Sequence, residues 1–437
     1  MFLPNNLLIF LLIIISAFHS AKGQALLTLE SAIKEALSNN YDIRIAENNA
    51  SISRNNYTLA NAGVLPLVTG DYSNNNSIQD SRQVRSTGDV TERENARSSN
   101  LNYGVNLRWT VFDGLSMFSR YQQLKALQNV SEETQRLTVL NTVNNVYILY
   151  YSLVNLQQQL NALKTTLEIS RFRIDVAQAR FQLGKAAKLE VLNTKVDFNT
   201  DTTSWLRLTE QYQNTQTRLN EIIARPLDIR FKVSDSLLIN TGLSLDTLQA
   251  WSSQSNPEIK ISELQSRIAS LELRRIRGRR LPTVNLGSGY NFTKSESALG
   301  FATQTTGQGL TYSVTASVNI FNGFLQNRTE SIAKLQIKNA EVNKEKLIQN
   351  VNAELRSAFQ TYTTNLALVQ LEQTNVEIAK QNLDITLEKF RLGSISTVEM
   401  RQAQLNFSNA QVRFSDAQFQ AKQAEIALRL ITGKFVF

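Results

Sequence analysis

The sequence predicts an α+β membrane protein in which a unit of two β-strands and long antiparallel coiled-coil helices occurs twice. Three observations lead to this prediction: an internal repeat, segments of alternating apolar and polar residues, and proline-free segments with heptad spacing. Phe112 and Phe321 each open a Phe-x-Gly turn, and they lie 209 positions apart. The same offset relates residues 180–184, Arg-Phe-Gln-Leu-Gly, to residues 389–393, Lys-Phe-Arg-Leu-Gly.

The repeat defines the expected domain organisation. Upstream of the Phe-x-Gly turns the offset becomes 216, as between Pro66 and Pro282, so about seven extra residues fall in one loop of the first copy. The first repeat is predicted at residues 24–230, with a strand pair at 65–112 and a helical hairpin at 115–224. The second repeat is predicted at residues 231–437, with a strand pair at 281–321 and a helical hairpin at 323–432.

The first residues read as an export signal. Residues 7–18 form an apolar run that is shorter than the roughly 20 residues of a membrane-spanning helix, and small residues follow it. We therefore predict a signal peptide at residues 1–23 and an exported mature chain.

The strand segment before each Phe-x-Gly turn alternates strictly between apolar and polar residues, which indicates one apolar and one polar face. Such alternation also fits a soluble β-sandwich, but strand length and terminal aromatic residues favour lipid contact. The alternating apolar residues are Leu101, Tyr103, Val105, Leu107, Trp109 and Val111 in the first copy, and Tyr312, Val314, Ala316, Val318 and Ile320 in the second. The aromatic residues expected at the membrane interface are Tyr103, Trp109, Tyr290 and Tyr312.

Between the strands of each pair lies a polar segment, residues 73–100 in the first copy and 293–309 in the second. Both are rich in Ser, Asn, Thr, Gly and charged residues, and this composition predicts long extracellular loops.

Long helices are predicted after each Phe-x-Gly turn. A helix of about 69 residues is roughly 100 Å long, which exceeds the dimensions of a compact globular domain. Apolar residues recur every seventh position, which indicates packing along a neighbouring helix, although an ordinary coiled-coil hairpin has the same pattern. These residues are Leu153, Leu160, Leu167, Ile174 and Phe181, and then Tyr362, Val369, Val376, Leu383 and Phe390.

Composition excludes several classes of function. The chain has no cysteine and a single histidine, His19, which lies in the predicted signal peptide. Zinc sites with Cys or His ligands and Ser-His-Asp triads are therefore excluded, and we expect no catalytic residue, metal or cofactor. The net charge is +9, but basic and acidic residues are interspersed along most of the chain, so no nucleic-acid partner is expected.

The duplicated strand pair, Phe-x-Gly turn, long helix, Phe-x-Leu-Gly tip and return helix resemble the TolC family of outer-membrane efflux proteins. The resemblance covers essentially the whole mature chain. It implies a homotrimer in the outer-membrane lipid, in which four strands per subunit close a 12-stranded β-barrel. It also implies a periplasmic α-helical barrel that meets a periplasmic adaptor protein and an inner-membrane pump, as the exit duct of an efflux or type I secretion system.

The resemblance also implies site residues. The two helical tips are expected to dock the adaptor, through Phe181, Leu183, Gly184, Phe390, Leu392 and Gly393. Glu399, Gln402 and Glu190 are expected at the periplasmic aperture, although relatives carry a second acidic residue where this chain has Gln402. Phe390 and Ile395 occupy the positions of a Tyr and an Arg that latch the closed tip in relatives. Glu190 and Glu399 also fit the simpler role of first-turn carboxylates at a helix N-terminus.

Two other classes of protein share parts of this pattern. A trimeric coiled-coil surface adhesin or structural protein would carry a passenger domain and usually one barrel segment at one terminus. A periplasmic adaptor would carry one helical hairpin between β-rich domains. The recurrence of strand pairs in both halves of this chain favours the outer-membrane channel.

Overall fold

The computed structural model describes residues 26–234, 236–297 and 302–434, so the predicted signal peptide lies outside the described residues. The chain forms two compact units. The first comprises the chain up to Ile45, Arg136–Asn256 and the segment from Gln349 onward, and the second comprises Ala46–Gln135 and Pro257–Ile348. Each unit takes segments from both predicted repeats. No helix in the described ranges combines the length and apolarity needed to cross a membrane.

The order of the elements repeats along the chain: a short strand, short helices, a strand pair and two long helices. The first series is β1 (Leu26–Leu27), α1 (Leu29–Asn39), α2 (Tyr41–Asn56), α3 (Leu59–Ala62), β2 (Leu67–Val84), β3 (Val90–Asp113), α4 (Ser116–Gln182) and α5 (Lys188–Ile222). The second series is β4 (Lys232–Val233), α6 (Leu245–Ser255), α7 (Pro257–Gly278), β5 (Thr283–Ser297), β6 (Gln304–Ser317), α8 (Leu325–Leu392) and α9 (Thr397–Thr432).

The second unit contains one antiparallel sheet of four strands in the order β2-β3-β5-β6. Strands β3 and β5 belong to different repeats and pair in the centre, so the sheet joins the two copies. Among the described residues, β2 and β6 pair on one side only. The sheet therefore has two open edges.

The register places the apolar side chains of all four strands on one face, as the alternation predicts. Residues directly opposite one another in an antiparallel pair share a face, and Tyr72, Tyr103 and Phe292 form one such row across three strands. This apolar face is exposed in the single chain, with Tyr312 84% exposed. Its members are Val68, Tyr72, Leu101, Tyr103, Val105, Leu107, Trp109, Leu286, Tyr290, Phe292, Leu310, Tyr312 and Val314.

The prediction of a long polar loop at residues 73–100 is wrong. Strands β2 and β3 continue through this segment, and only residues 85–89 connect them. Polar composition does not prevent a strand here, because the ladder is made by backbone groups and polar side chains pair across it, as Arg82 Nε and Glu92 Oε1 do at 2.8 Å. In the second copy β5 and β6 also extend into the predicted loop, while β6 ends at Ser317 and so excludes Val318 and Ile320 from the strand.

The core of the first unit forms where α4, α5 and α9 pack together. Val143, Leu153, Val154, Leu219 and Ile426 are all buried there. The short strands β1 and β4 pair in parallel beside this core. The hydroxyl of Tyr150, on α4, donates to the Leu27 carbonyl at 3.1 Å and accepts from the Ser234 N–H at 3.2 Å, which fixes both strands to the helix.

Candidate docking tips and aperture

The long helices α4 and α8 each end at a glycine in the left-handed conformation. Gly184 has φ of +68° and Gly393 has φ of +84°, a region that side-chain-bearing residues rarely adopt. The Gly184 N–H donates to the Phe181 carbonyl at 3.0 Å, and the Gly393 N–H donates to the Phe390 carbonyl at 3.1 Å. The two glycines therefore stop α4 and α8 and reverse the chain into α5 and α9.

The tip residues differ in how far their side chains are exposed to a partner. Leu183 is 71% exposed and Leu392 is 82% exposed, and Phe181 is also exposed. Phe390 is 0% exposed, because its ring packs in a cluster with Leu383, Met400, Ala403 and Phe407. Phe390 thus stabilises the second tip from inside and presents no surface for docking in the single chain.

Arg180 joins the two tips. Its Nη2 donates to the Phe390 carbonyl at 2.9 Å, and its guanidinium lies over the Phe390 ring, 5.0 Å from the centroid. Its Nη1 is 3.9 Å from Glu190 Oε1. This contact was not predicted, although Arg180 precedes the Phe-x-Leu-Gly motif. It ties the tip of the first repeat to the tip of the second.

Glu190 and Glu399 stand at the same position of their return helices but have different partners. Glu399 forms a capping box with Ser396: its Oε2 accepts from the Ser396 N–H at 2.9 Å, and its own N–H donates to Ser396 Oγ at 3.2 Å. Glu190 follows Ala187, which offers no side-chain cap, and it faces Arg180 instead.

The remaining aperture residue, Gln402, is exposed on α9, and its Nε2 donates to Asn406 Oδ1 at 2.9 Å. Glu399 is exposed one turn earlier on the same helix. The structure therefore keeps Glu399 and Gln402 accessible, while Glu190 is partly covered.

The predicted interface aromatics lie on the apolar face of the sheet, but they do not all mark its ends. Tyr103 stacks on Phe292 with centroids 5.0 Å apart, and Tyr290 meets the same ring edge-on at 5.3 Å. Trp109 Nε1 donates to the Val64 carbonyl at 2.8 Å, where the chain enters β2. Tyr312 lies on the edge strand β6, directly opposite Ser288.

Comparison of the sequence with known protein families shows to which family the chain belongs. The profile of the outer membrane efflux protein family matches residues 32–225 and 252–434, which cover both repeats. The chain belongs to this family. Family membership confirms the predicted role as an outer-membrane efflux protein.

Individual relatives agree with this assignment. The toluene efflux pump outer membrane protein TtgC of Pseudomonas putida is 24% identical over 420 residues, covering 92% of this chain and 80% of TtgC. The CmeC outer membrane channel of Campylobacter jejuni superposes with a TM-score of 0.76 at 19% identity, covering 93% of this chain and 85% of CmeC. The outer membrane protein VceC of Vibrio cholerae gives a TM-score of 0.74 at 15% identity, with 93% and 96% coverage. These likenesses confirm the predicted fold class.

This efflux protein also contains a buried ionic network that the sequence analysis missed. Arg173, on α4, is 1% exposed. Its guanidinium donates to Asp197 Oδ2 on α5 at 3.0 Å, to the Thr397 carbonyl at the start of α9 at 3.0 Å, and to Gln404 Oε1 at 3.1 Å. Burial lowers the pKa of Arg173, while the hydrogen bond to Asp197 opposes that shift.

A second pair completes the network. Both terminal nitrogens of Arg401, on α9, donate to the Asp201 carboxylate on α5, at 2.7 and 2.8 Å. Burial acts to lower the pKa of Arg401, but the hydrogen bonds and charge of Asp201 outweigh it and raise the pKa. Ser170 Oγ donates to the same carboxylate at 2.5 Å. In this way the efflux protein binds its second return helix to both helices of its first hairpin.

Proposed function

We propose that three copies of this efflux protein form the exit duct through which an inner-membrane pump passes its substrate across the periplasm and the outer membrane. The observation that carries this proposal is the four-stranded sheet, which has an exposed apolar face, a polar face and two open edges. A sheet of this kind needs an apolar solvent on one side and partners at both edges.

The open edges support a homotrimer. Each unsatisfied backbone N–H or C=O group costs several kcal/mol in lipid, so β2 and β6 require partners from neighbouring copies. Two copies would close a barrel of about eight strands, whose interior is filled by side chains. Three copies would close about 12 strands, which leaves room for a channel.

The long helices give independent support for neighbouring copies. Three apolar residues recur on α8 at seven-residue intervals and are exposed in the single chain, namely Leu371, Ile378 and Ile385. A heptad seam of this kind packs against another helix, and a second copy supplies one.

The orientation of the protein in the membrane is inferred from the polarity of its surfaces. We place the apolar face of the sheet against outer-membrane lipid and the helices in the periplasm. Tyr103, Trp109, Tyr290 and Tyr312 then contact the bilayer, as aromatic residues do at the rims of membrane barrels.

The two tips then meet the periplasmic adaptor, which links the duct to the inner-membrane pump. The exposed apolar residues Phe181, Leu183 and Leu392 are the contact residues of this proposal, and Gly184 and Gly393 shape the turns that present them. Phe390 holds the second tip together from inside.

Glu399 is proposed to line the narrowest part of the duct, where symmetry-related copies would bring their carboxylates together. Its side chain is exposed at the start of α9, and Gln402 lies one turn further along. A ring of like carboxylates attracts cations.

Reconstitution of the purified protein into planar lipid bilayers tests the proposal. Discrete conductance steps of a water-filled pore are expected. A protein that binds the bilayer yet never conducts would contradict the exit-duct function.

A further inference from the structure

The polar face of the sheet is lined by small residues. Gly104, Gly287, Gly289, Gly307 and Gly309 all lie on this face, and each stands directly opposite an Asn, Ser or Thr residue of a neighbouring strand. A Cβ on Gly289 would stand 2.1 Å from Asn106 Oδ1, and a Cβ on Gly104 would stand 2.2 Å from Asn291 Oδ1. The glycines therefore allow these amide side chains to lie flat on the sheet.

A chain of hydrogen bonds crosses three strands on the polar face. Asn291 Nδ2, on β5, donates to Asn106 Oδ1 at 3.2 Å, and Asn106 Nδ2, on β3, donates to Asp71 Oδ2 at 2.8 Å. Thr69 Oγ1 donates to the same Asp71 oxygen at 3.1 Å. The carboxylate of Asp71 is thus satisfied by neutral donors of its own sheet.

Arg108 is a cation on this face. It lies two positions beyond Asn106 on β3, directly opposite Leu67 and Gly287. Its side chain is exposed, and among the described residues its guanidinium forms no hydrogen bond or ion pair. A cavity of about 390 Å³ opens beside it, lined by Asp71, Asn106, Gly287, Gly289, Thr311 and Ser313.

We propose that Arg108 is the anion-contact residue of the strand-lined part of the duct, where it meets carboxylate, phosphate or sulfate groups in transit. The proposal rests on the proposed function, in which the polar face lines the lumen. A planar guanidinium presents paired donors that match carboxylate and phosphate oxygens. The charge of Arg108 attracts the carboxylate of Asp71. Among the described residues, however, no acidic side chain lies within ion-pair distance of the guanidinium, so its paired donors are not engaged in the protein itself.

The charges of the face set the expected selectivity. From the row of Arg108 to the row of Ser98, the described residues of the polar face include two charged side chains, Asp71 and Arg108. Neutralisation of Arg108 makes the net charge of each copy in the lumen more negative by one, and neutralisation of Asp71 makes it more positive by one. The two changes must therefore shift ion selectivity in opposite directions.

The test measures reversal potentials of the full-length protein in planar bilayers under a gradient of potassium chloride. Arg108→Gln should shift the reversal potential toward cation preference, and Asp71→Asn should shift it toward anion preference. Both shifts should shrink in high salt, where screening shortens the reach of the charges. Arg97→Gln is the matched control, since Arg97 lies on the same strand but on the opposite face, and its reversal potential should stay at the wild-type value.

A second readout addresses contact with the anion directly. Millimolar inorganic phosphate or glutamate, added to one side, should produce brief current blocks that Arg108→Gln abolishes and Arg108→Lys retains in part. Channels of normal conductance whose selectivity and block are unchanged in Arg108→Gln would overturn this role of Arg108. Absence of conductance in the wild-type protein would instead overturn the exit-duct function.

Discussion

The guanidinium of Arg180 lies over the ring of Phe390, 5.0 Å from its centroid, and donates to the Phe390 carbonyl at 2.9 Å. This contact joins residues that are 210 positions apart, one at each tip. Since Phe390 is buried in the second tip, Arg180 connects the first tip to the interior of the second.

Removal of Arg180 should loosen both tips. Arg180→Ala loses the hydrogen bond and the cation–π contact, which together stabilise the tips by roughly 1–2 kcal/mol. Hydrogen exchange should rise in residues 178–190 and 386–396. Arg171→Ala removes an exposed arginine of the same helix and should change neither segment. Equal exchange in the Arg180 variant and the wild type would show that the contact does not hold the tips.

Bulky residues at the tip glycines should abolish export. Gly184→Leu combined with Gly393→Leu puts side chains in a left-handed conformation, at a cost of roughly 1–2 kcal/mol per site, and so distorts the turns that present Leu183 and Leu392. Trimer yield and membrane insertion should stay normal, and an export assay in cells measures the loss. Gly88→Leu is the control, because Gly88 also has a positive φ but lies in the β2–β3 turn. Normal export by the double variant would reject the docking role.

Neutralisation of Glu399 should lower the cation preference of the pore. Glu399→Gln removes the charge but keeps a side chain that can complete the capping box with Ser396, so the helix start is preserved. Glu190→Gln should have a smaller effect, because Arg180 lies beside that carboxylate. Reversal potentials and block by multivalent cations measure the difference. Unchanged selectivity in Glu399→Gln would leave Glu399 with its capping role alone.

The buried ionic network should be intolerant of a missing partner. Asp201→Ala leaves Arg401 without its bidentate acceptor, and breaking a buried pair of this kind costs about 3–5 kcal/mol. The midpoint of denaturant unfolding should fall accordingly. Asp175→Ala removes an exposed aspartate of α4 and should change stability by less than about 0.5 kcal/mol. Equal midpoints for the two variants would contradict the structural importance of the network.

Acid should remove the contribution of Glu272 to the stability of the folded protein. Hydrogen bonds from Arg275 are the largest cause that lowers the pKa of this carboxyl, and Gln123 adds to the effect. A carboxyl whose folded pKa is lowered stabilises the protein above its unfolded value of about 4.3, and this stabilisation is lost as the pH falls through the folded pKa. The stability difference between wild type and Glu272→Gln should therefore be full near neutral pH and vanish in strong acid. A difference independent of pH would contradict this assignment.

Periodic features could be predicted from the sequence, because periodicity reports directly which face of an element is apolar. The alternation from Leu101 to Trp109 predicted one face of the sheet, and the heptads predicted the long helices. The strands through residues 73–100 were missed because their polar side chains carry no burial signal, while the backbone ladder that forms them is independent of side-chain type.

The partners of the candidate site residues were harder to predict. The burial of Phe390 and the pairing of Arg173 with Gln404 depend on contacts between the two repeats, which local sequence does not specify. One signal was present and overlooked: Ser396-x-x-Glu399 is a capping-box pattern, whereas Ala187 precedes Glu190 at the equivalent position. That difference separates the roles of the two glutamates.

The oligomeric mass in detergent tests the central claim most directly, because the open edges of β2 and β6 require neighbouring copies. Native mass measurement of the purified mature protein should give a stable complex of three chains. A stable monomer with the same folded sheet would contradict the closed barrel and, with it, the exit duct.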